Sequence, residues 1–441
     1  MSRRPLAVIG ARLVDPSRGI DGPGGILVDG GRILDCGLHI TAGALPERCE
    51  VLDARGLVLA PGLVDLRVVV GEPGAEHKER MDSAVAAAAA GGITAFAMLP
   101  DTEPPLDDPA MLESVARRAR RLRSVKVFPW AALTRGCAGE QLAELRLLHE
   151  AGAVGFTDGN RAHADTRLLH RALAYASAFG GLVMEHPEDP FLADGGVMNE
   201  GWTAIRLGLP GIPRCAEAIW VERCVRLAEA TGGRLHVAHV TTAEAIEVIR
   251  RAKDRGVAVS CDVTPHHLLL TEAEVEGYRT YAKVSPPLRT EEDLEALAAA
   301  LADGTVDAVT SDHCPQDQDS KRLPFEQAAF GVVGLETLLA AGLELVHAGR
   351  LPLSRLIEAT STAPARILGL EAGTLAPGRP ADFVLFDPDE AWTVTEAGLR
   401  SLSRNTPFEG RTFRGRVRCT FVDGRRVFDR EEAEAGGGTS A

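Results

Sequence analysis

Apolar residues are distributed along this chain in two textures. Between residues 61 and 370, short apolar runs recur at 63–70, 93–99, 125–130, 153–157, 182–185, 235–239, 257–263 and 306–310. Runs this short, bounded by Gly, Pro and polar turn residues, predict strands buried on both faces. The intervening stretches at 78–90, 110–123, 140–151, 166–179, 216–230 and 242–253 carry helical periodicity. Eight strands with crossover helices predict an α/β fold, a (β/α)8 TIM-like barrel with its polar residues at the C-terminal strand ends. An open doubly wound sheet is the competing arrangement, but no Gly-rich phosphate loop follows any strand.

The two chain ends have the second texture, strands broken by tight turns. Runs at 6–15 and 25–34 are answered near the C-terminus by runs at 381–387 and 417–428, with Asp29-Gly-Gly and Asp423-Gly as hairpin signals. Neither block can close a core alone. One small β-sandwich domain is therefore expected from 1–60 together with 371–430, beside a barrel of 61–370. The Gly-rich segment 431–441 is expected to be a disordered tail.

Composition narrows the class. A chain of 441 residues with 45% hydrophobic and 25% charged content is an ordinary globular protein. Its net charge of −14 argues against nucleic acid or an anionic membrane as main partner. The basic stretch 117–123 is read as the solvated face of a helix. Eight scattered cysteines with no Cys-x-x-Cys pair fit reduced thiols, and no apolar run reaches membrane-spanning length. A cytoplasmic protein is expected.

Polar residues end four of the strands: Asp158, His186, His239, and Asp312 with His313. Two imidazoles and a carboxylate from neighbouring strands could hold one zinc and leave a position open for water. Singly, each residue is as well explained by a hydrogen-bonded core or a helix cap. Their recurrence at strand ends is what favours a site at the barrel mouth.

The motifs then become specific. Ala60-Pro-Gly-Leu-Val-Asp-Leu-Arg67 resembles the first barrel strand of the cyclic amidohydrolases, closest to dihydroorotase. Gly196-Val-Met-Asn-Glu200, Val263-Thr-Pro-His-His267, Ser285-Pro-Pro-Leu-Arg289, Phe330-Gly-Val-Val-Gly-Leu-Glu336 and Ser403-Arg-Asn-Thr-Pro-Phe408 are similar to the same family. The resemblance implies that His186 and His239 are its second-metal histidines, that Asp158 is the bridging carboxylate, and that Asp312 is the catalytic base. The first-metal histidines are lost to Arg67 and Val69. The substrate-binding arginine and asparagine are replaced by Gly71 and Asp101, while Ser285 and Gln316 replace two further family residues. One charge-assisted hydrogen bond to a bound carboxylate contributes roughly 1.5–3 kcal/mol, so these losses together weaken substrate binding by orders of magnitude. Arg67 cannot ligate zinc and is expected to pair instead with Asp312 or Asp158.

Three readings follow. The first is an inactive dihydroorotase-like protein that, as the resemblance implies, assembles with aspartate transcarbamoylase in an oligomer and needs no zinc. The second is a hydrolase of dihydroorotate (interconverting it with the open-chain N-carbamoyl-aspartate) or of another cyclic amide, using one zinc on Asp158, His186 and His239. The third is a ligand-binding barrel with neither activity nor partner.

Overall fold

The computed structural model describes residues 4–46 and 48–437. Its centre is a ring of parallel strands: Leu63–Val68, Ile93–Met98, Lys126–Pro129, Phe156–Thr157, Leu182–Glu185, Arg234–Val237, Val259–Val263 and Ala308–Val309. Two bridges close it. Ala131–Ala132, which continues the third strand, pairs with Phe156 and Thr157. Past the eighth strand, His313 bridges Val68, and the Val69 amide donates to the His313 carbonyl at 2.8 Å. Each of the eight apolar runs read from the sequence supplies one strand of this (β/α)8 barrel.

The barrel interior is filled mainly by small or compact side chains, among them Val64, Leu66, Ala95, Ala97, Met184, Ala238 and Ala308. Trp130 is the large exception, and its indole N–H donates to the Leu66 carbonyl at 2.9 Å. A Cβ at position 155 would lie 2.3 Å from the Trp130 ring, so Gly155 is what lets the indole enter the strand layer. Buried Asp65 ties the first strand to the end of the eighth, accepting from Thr310 Oγ1 at 2.6 Å and from the Ser311 amide at 3.2 Å. Burial raises the Asp65 carboxyl above the usual range despite these donors.

Both chain ends contribute to one second sheet. Its order is Arg425–Asp429, Thr412–Val422, Phe383–Thr393, Val58–Pro61, Leu6–Asp15, Ile20–Asp29 and Arg32–Gly37, with Glu50–Asp53 also beside Leu6–Asp15. Asp423 and Gly424, with φ of 47° and 64°, form a turn of the type that Asp-Gly favours between antiparallel strands. Leu13, Ile26, Leu59, Phe383 and Phe421 fill its core.

Two expectations need correction. The helix expected over 140–151 is confined to Leu145–Glu150, because Thr134 pairs with Leu142 and the Arg135 amide donates to the Gln141 carbonyl. The tail expected to be disordered begins as a helix, Arg430–Gly437. Asp429 caps it through the amides of Glu431 and Glu432, and Glu434 lies 3.2 Å from Arg416. Residues 438–441 lie outside the described residues. No described helix is long and apolar enough to cross a membrane.

Candidate active site

The strand ends meet at the barrel mouth, where two backbone positions are unusual. His239 and Asp312 stand two and three residues past their strands with φ of 32° and 48°, a left-handed region that non-Gly residues seldom occupy. Such conformations persist only where the surrounding structure enforces them, and they concentrate at functional sites. Here they aim both side chains across the mouth.

Arg67 is the central residue. Its side chain is 2% exposed, and Nε donates to Asp312 Oδ1 at 2.7 Å. Nη2 donates to Asn160, while Nη1 has no hydrogen-bond partner. Burial would raise the Asp312 carboxyl, but His239 and Arg67 together hold it well below the usual carboxylate range. A carboxylate held that low is a poor proton acceptor near neutral pH. Burial first, and then Arg67, lower the His239 imidazole and keep it neutral.

His186 and His239 face each other with Nδ1 and Nε2 only 2.8 Å apart. His186 Nε2 lies 2.9 Å from Glu188 Oε2, and Ser285 Oγ donates to the same oxygen at 2.9 Å. Burial opposes ionisation of Glu188, but His186 outweighs it and the carboxyl stays low. An ionised carboxylate can only accept. His186 Nε2 therefore donates to Glu188, and between His186 Nδ1 and His239 Nε2 one nitrogen donates and the other accepts. The two facing nitrogens are engaged with each other.

Asp158 does not join them. Its oxygens accept from the Leu133 amide at 2.8 Å, the Thr134 amide at 3.0 Å and the Thr134 hydroxyl, and Oδ2 lies 2.8 Å from His163 Nε2. The other nitrogen of His163 meets Glu185. Burial would lower His163, but Glu185 and Asp158 prevail and push it up to about 10. The result is an imidazolium clamped between two buried carboxylates.

Among the described residues, no three His, Cys, Asp or Glu side chains converge so as to hold a metal ion. Of the expected trio of Asp158, His186 and His239, the two histidines meet, while Asp158 is engaged by His163 and Thr134. The donor set does not fit zinc. The two imidazoles are spent on each other, the carboxylate is saturated, and a guanidinium occupies the side where the first metal would lie.

The remaining positions have new neighbours. Val69 is part of the strand-end packing. A Cβ on Gly71 would lie 2.1 Å from the Ala75 carbonyl oxygen, so the loop backbone fills the place of the absent arginine. Asp101 is exposed at the mouth, its carboxylate against Gly159. Gln316 donates from Nε2 to the Phe330 carbonyl at 2.9 Å. Asn160, His163, Glu185 and Glu188 were not singled out from sequence. Their one available signal was position, since all four lie within five residues of Asp158 or His186 in strand-end segments.

The His163 clamp makes a pH-dependent prediction. A raised folded-state pKa adds stability that is complete below the unfolded value of about 6.5 and is lost as pH climbs toward 10. The unfolding free energy from urea titrations should fall between pH 7 and 10. That fall should be shallower in His163→Gln. An identical slope in the variant would contradict the clamp.

Comparison with known proteins agrees with this architecture. Residues 56–245 match the family described as dihydro-orotase-like, and residues 201–428 match the amidohydrolase family. The chain is 45% identical over 425 residues to a dihydroorotase of Pelobacter propionicus, covering 96% of this chain and 100% of that protein. It is 44% identical to a dihydroorotase of Geotalea daltonii, covering 97% and 100%. Among solved structures, the L-hydantoinase (dihydropyrimidinase) of Arthrobacter aurescens superposes with a TM-score of 0.85 at 27% identity, covering 98% of this chain and 97% of that one. On its barrel, its composite sheet and these relatives, the chain belongs to the dihydroorotase family of amidohydrolases.

Proposed function

We propose that this chain is a non-catalytic member of the dihydroorotase family that serves pyrimidine biosynthesis as a structural partner of aspartate transcarbamoylase. The observation that carries the loss of catalysis is the buried Arg67–Asp312 pair. It places a permanent cation where the family's first metal would sit and occupies the residue that would act as base. Gly71 and Asp101 support the same reading, because neither offers a cation to a substrate carboxylate. Fold does not dictate function, and the resemblance to inactive dihydroorotase-like partners of aspartate transcarbamoylase is what favours assembly.

Co-purification with the aspartate transcarbamoylase of the same organism tests the partnership. A stable complex is expected, with transcarbamoylase activity lower when this chain is left out. Failure to associate, with a transcarbamoylase fully active alone, removes that part of the proposal.

One observation favours a second reading, a working hydrolase of a cyclic amide. The chain is 45% identical over nearly its whole length to a protein named dihydroorotase, and His186 and His239 are in place. That reading requires His186 and His239 to part and Asp158 to leave His163.

A further inference from the structure

On the flank of the molecule, away from the barrel mouth, a cavity of about 290 Å³ lies between the barrel and the composite sheet. Its walls come from the end of helix Met81–Ala90, helix Leu338–His347, strands Phe383–Thr393 and Thr412–Val422, and helix Arg430–Gly437. Three guanidiniums line it: Arg400, Arg416 and Arg430.

Aromatic rings hold these guanidiniums in place. Arg416 lies over Trp392 at 5.8 Å, while Arg400 and Arg430 both lie over Phe428, at 5.2 and 5.5 Å. Stacking on a ring fixes the plane of a guanidinium and presents its N–H donors in a set direction. Burial and the nearby Arg416 pull Arg430 down to about 10, which shows the crowding of positive charge.

The protein's own carboxylates serve the three guanidiniums unevenly. Arg416 is satisfied by Glu390 at 3.0 Å and Glu434 at 3.2 Å. Arg430 donates from Nε to the Val417 carbonyl at 2.7 Å, and its closest carboxylate is Glu434 at 3.7 Å. The Arg400 side chain makes no ion pair among the described residues. Glu336 also lines the cavity, but it accepts from the Arg400 and Ser401 amides, and burial pushes it up to about 7. Arg400 is left without an ion pair, and Arg430 has only the longer contact to Glu434, at 3.7 Å.

We propose that this cavity binds a phosphate group, held between Arg400 and Arg430, as free phosphate or as the ester of a small metabolite. Planar, fixed guanidinium donors match the tetrahedral oxygens of phosphate in a bidentate manner. A volume near 300 Å³ suits a small ligand rather than a nucleotide polymer.

The test is calorimetric titration of the full chain with inorganic phosphate and, separately, pyrophosphate, at constant ionic strength. Saturable binding with a dissociation constant of about 1 mM or tighter is expected for at least one probe. Arg400→Gln and Arg430→Gln should each weaken it at least tenfold. Arg400 is exposed and bonded to nothing through its side chain, so its variant should fold normally. A phosphate-dependent fluorescence change should also disappear in Trp392→Phe. Tighter pyrophosphate binding would indicate a phosphate ester or diphosphate, and equal binding free phosphate. Absence of saturable binding by either probe would overturn the proposal, as would equal binding in wild type and both arginine variants.

Discussion

Arg67→Met is expected to cost the protein about 3–5 kcal/mol of unfolding free energy, measured by urea denaturation near pH 8. The substitution keeps most of the side-chain volume and removes the permanent cation paired with Asp312. Asp312 would then be a buried carboxylate with a neutral imidazole 3.4 Å away. Two further outcomes separate this cause from simple loss of packing. The double variant Arg67→Met/Asp312→Asn should recover most of the loss, because no charge is then left unpaired. The single variant should also be less impaired near pH 5. Without the repulsion of Arg67, His239 can take up a proton and replace the missing cation. An Arg67→Met protein as stable as wild type at pH 8 would mean that the pair is incidental.

Restoring the family's arginine should fail. Gly71→Arg is expected to lower the unfolding midpoint, and even Gly71→Ala should cost about 1–3 kcal/mol, as overpacked sites do. A Cβ at this position would stand 2.1 Å from the Ala75 carbonyl oxygen and 2.8 Å from that of Glu79, both backbone atoms. The Ala75 amide also donates back to the Gly71 carbonyl, so the loop is closed on itself where a substrate contact would begin. No dihydroorotate turnover should appear in Gly71→Arg. Activity gained by this one substitution would show that the loop opens readily and that the carboxylate contact was the main defect.

The barrel was legible in the sequence because its signal is local. An apolar run between Gly, Pro and polar turns specifies a doubly buried strand wherever it occurs, and Leu63, Ile93 and Leu182 each begin one. The losses at Arg67, Val69, Gly71 and Asp101 were equally legible, since each is a residue type at a fixed place in a motif. Partner choice was not. Asp158 matched a metal ligand by position, yet its orientation depends on Thr134 and His163, one on a different strand end and one in its own loop. The His186–Glu188–Ser285 cluster joins segments almost a hundred residues apart, and hydrophobic periodicity carries no information about such a meeting. The helical start of the tail was missed for a similar reason. Its composition reads as disordered, but capping by Asp429 and the approach of Arg416 to Glu434 are tertiary effects.

These observations describe a site whose ionisable side chains contact one another. Arg67 pairs with Asp312, His163 bridges the two carboxylates of Asp158 and Glu185, and His186 links His239 to Glu188. Each element can be explained as structure alone. Together they knit the strand ends at the mouth of a dihydroorotase-family barrel.

The most direct measurement is the zinc content of the purified protein beside its rate of dihydroorotate ring opening and closure. Zinc well below stoichiometric, with turnover no faster than the uncatalysed reaction even after zinc is supplied, is the expected result. Stoichiometric zinc with turnover abolished by His186→Ala would contradict it and establish the hydrolase.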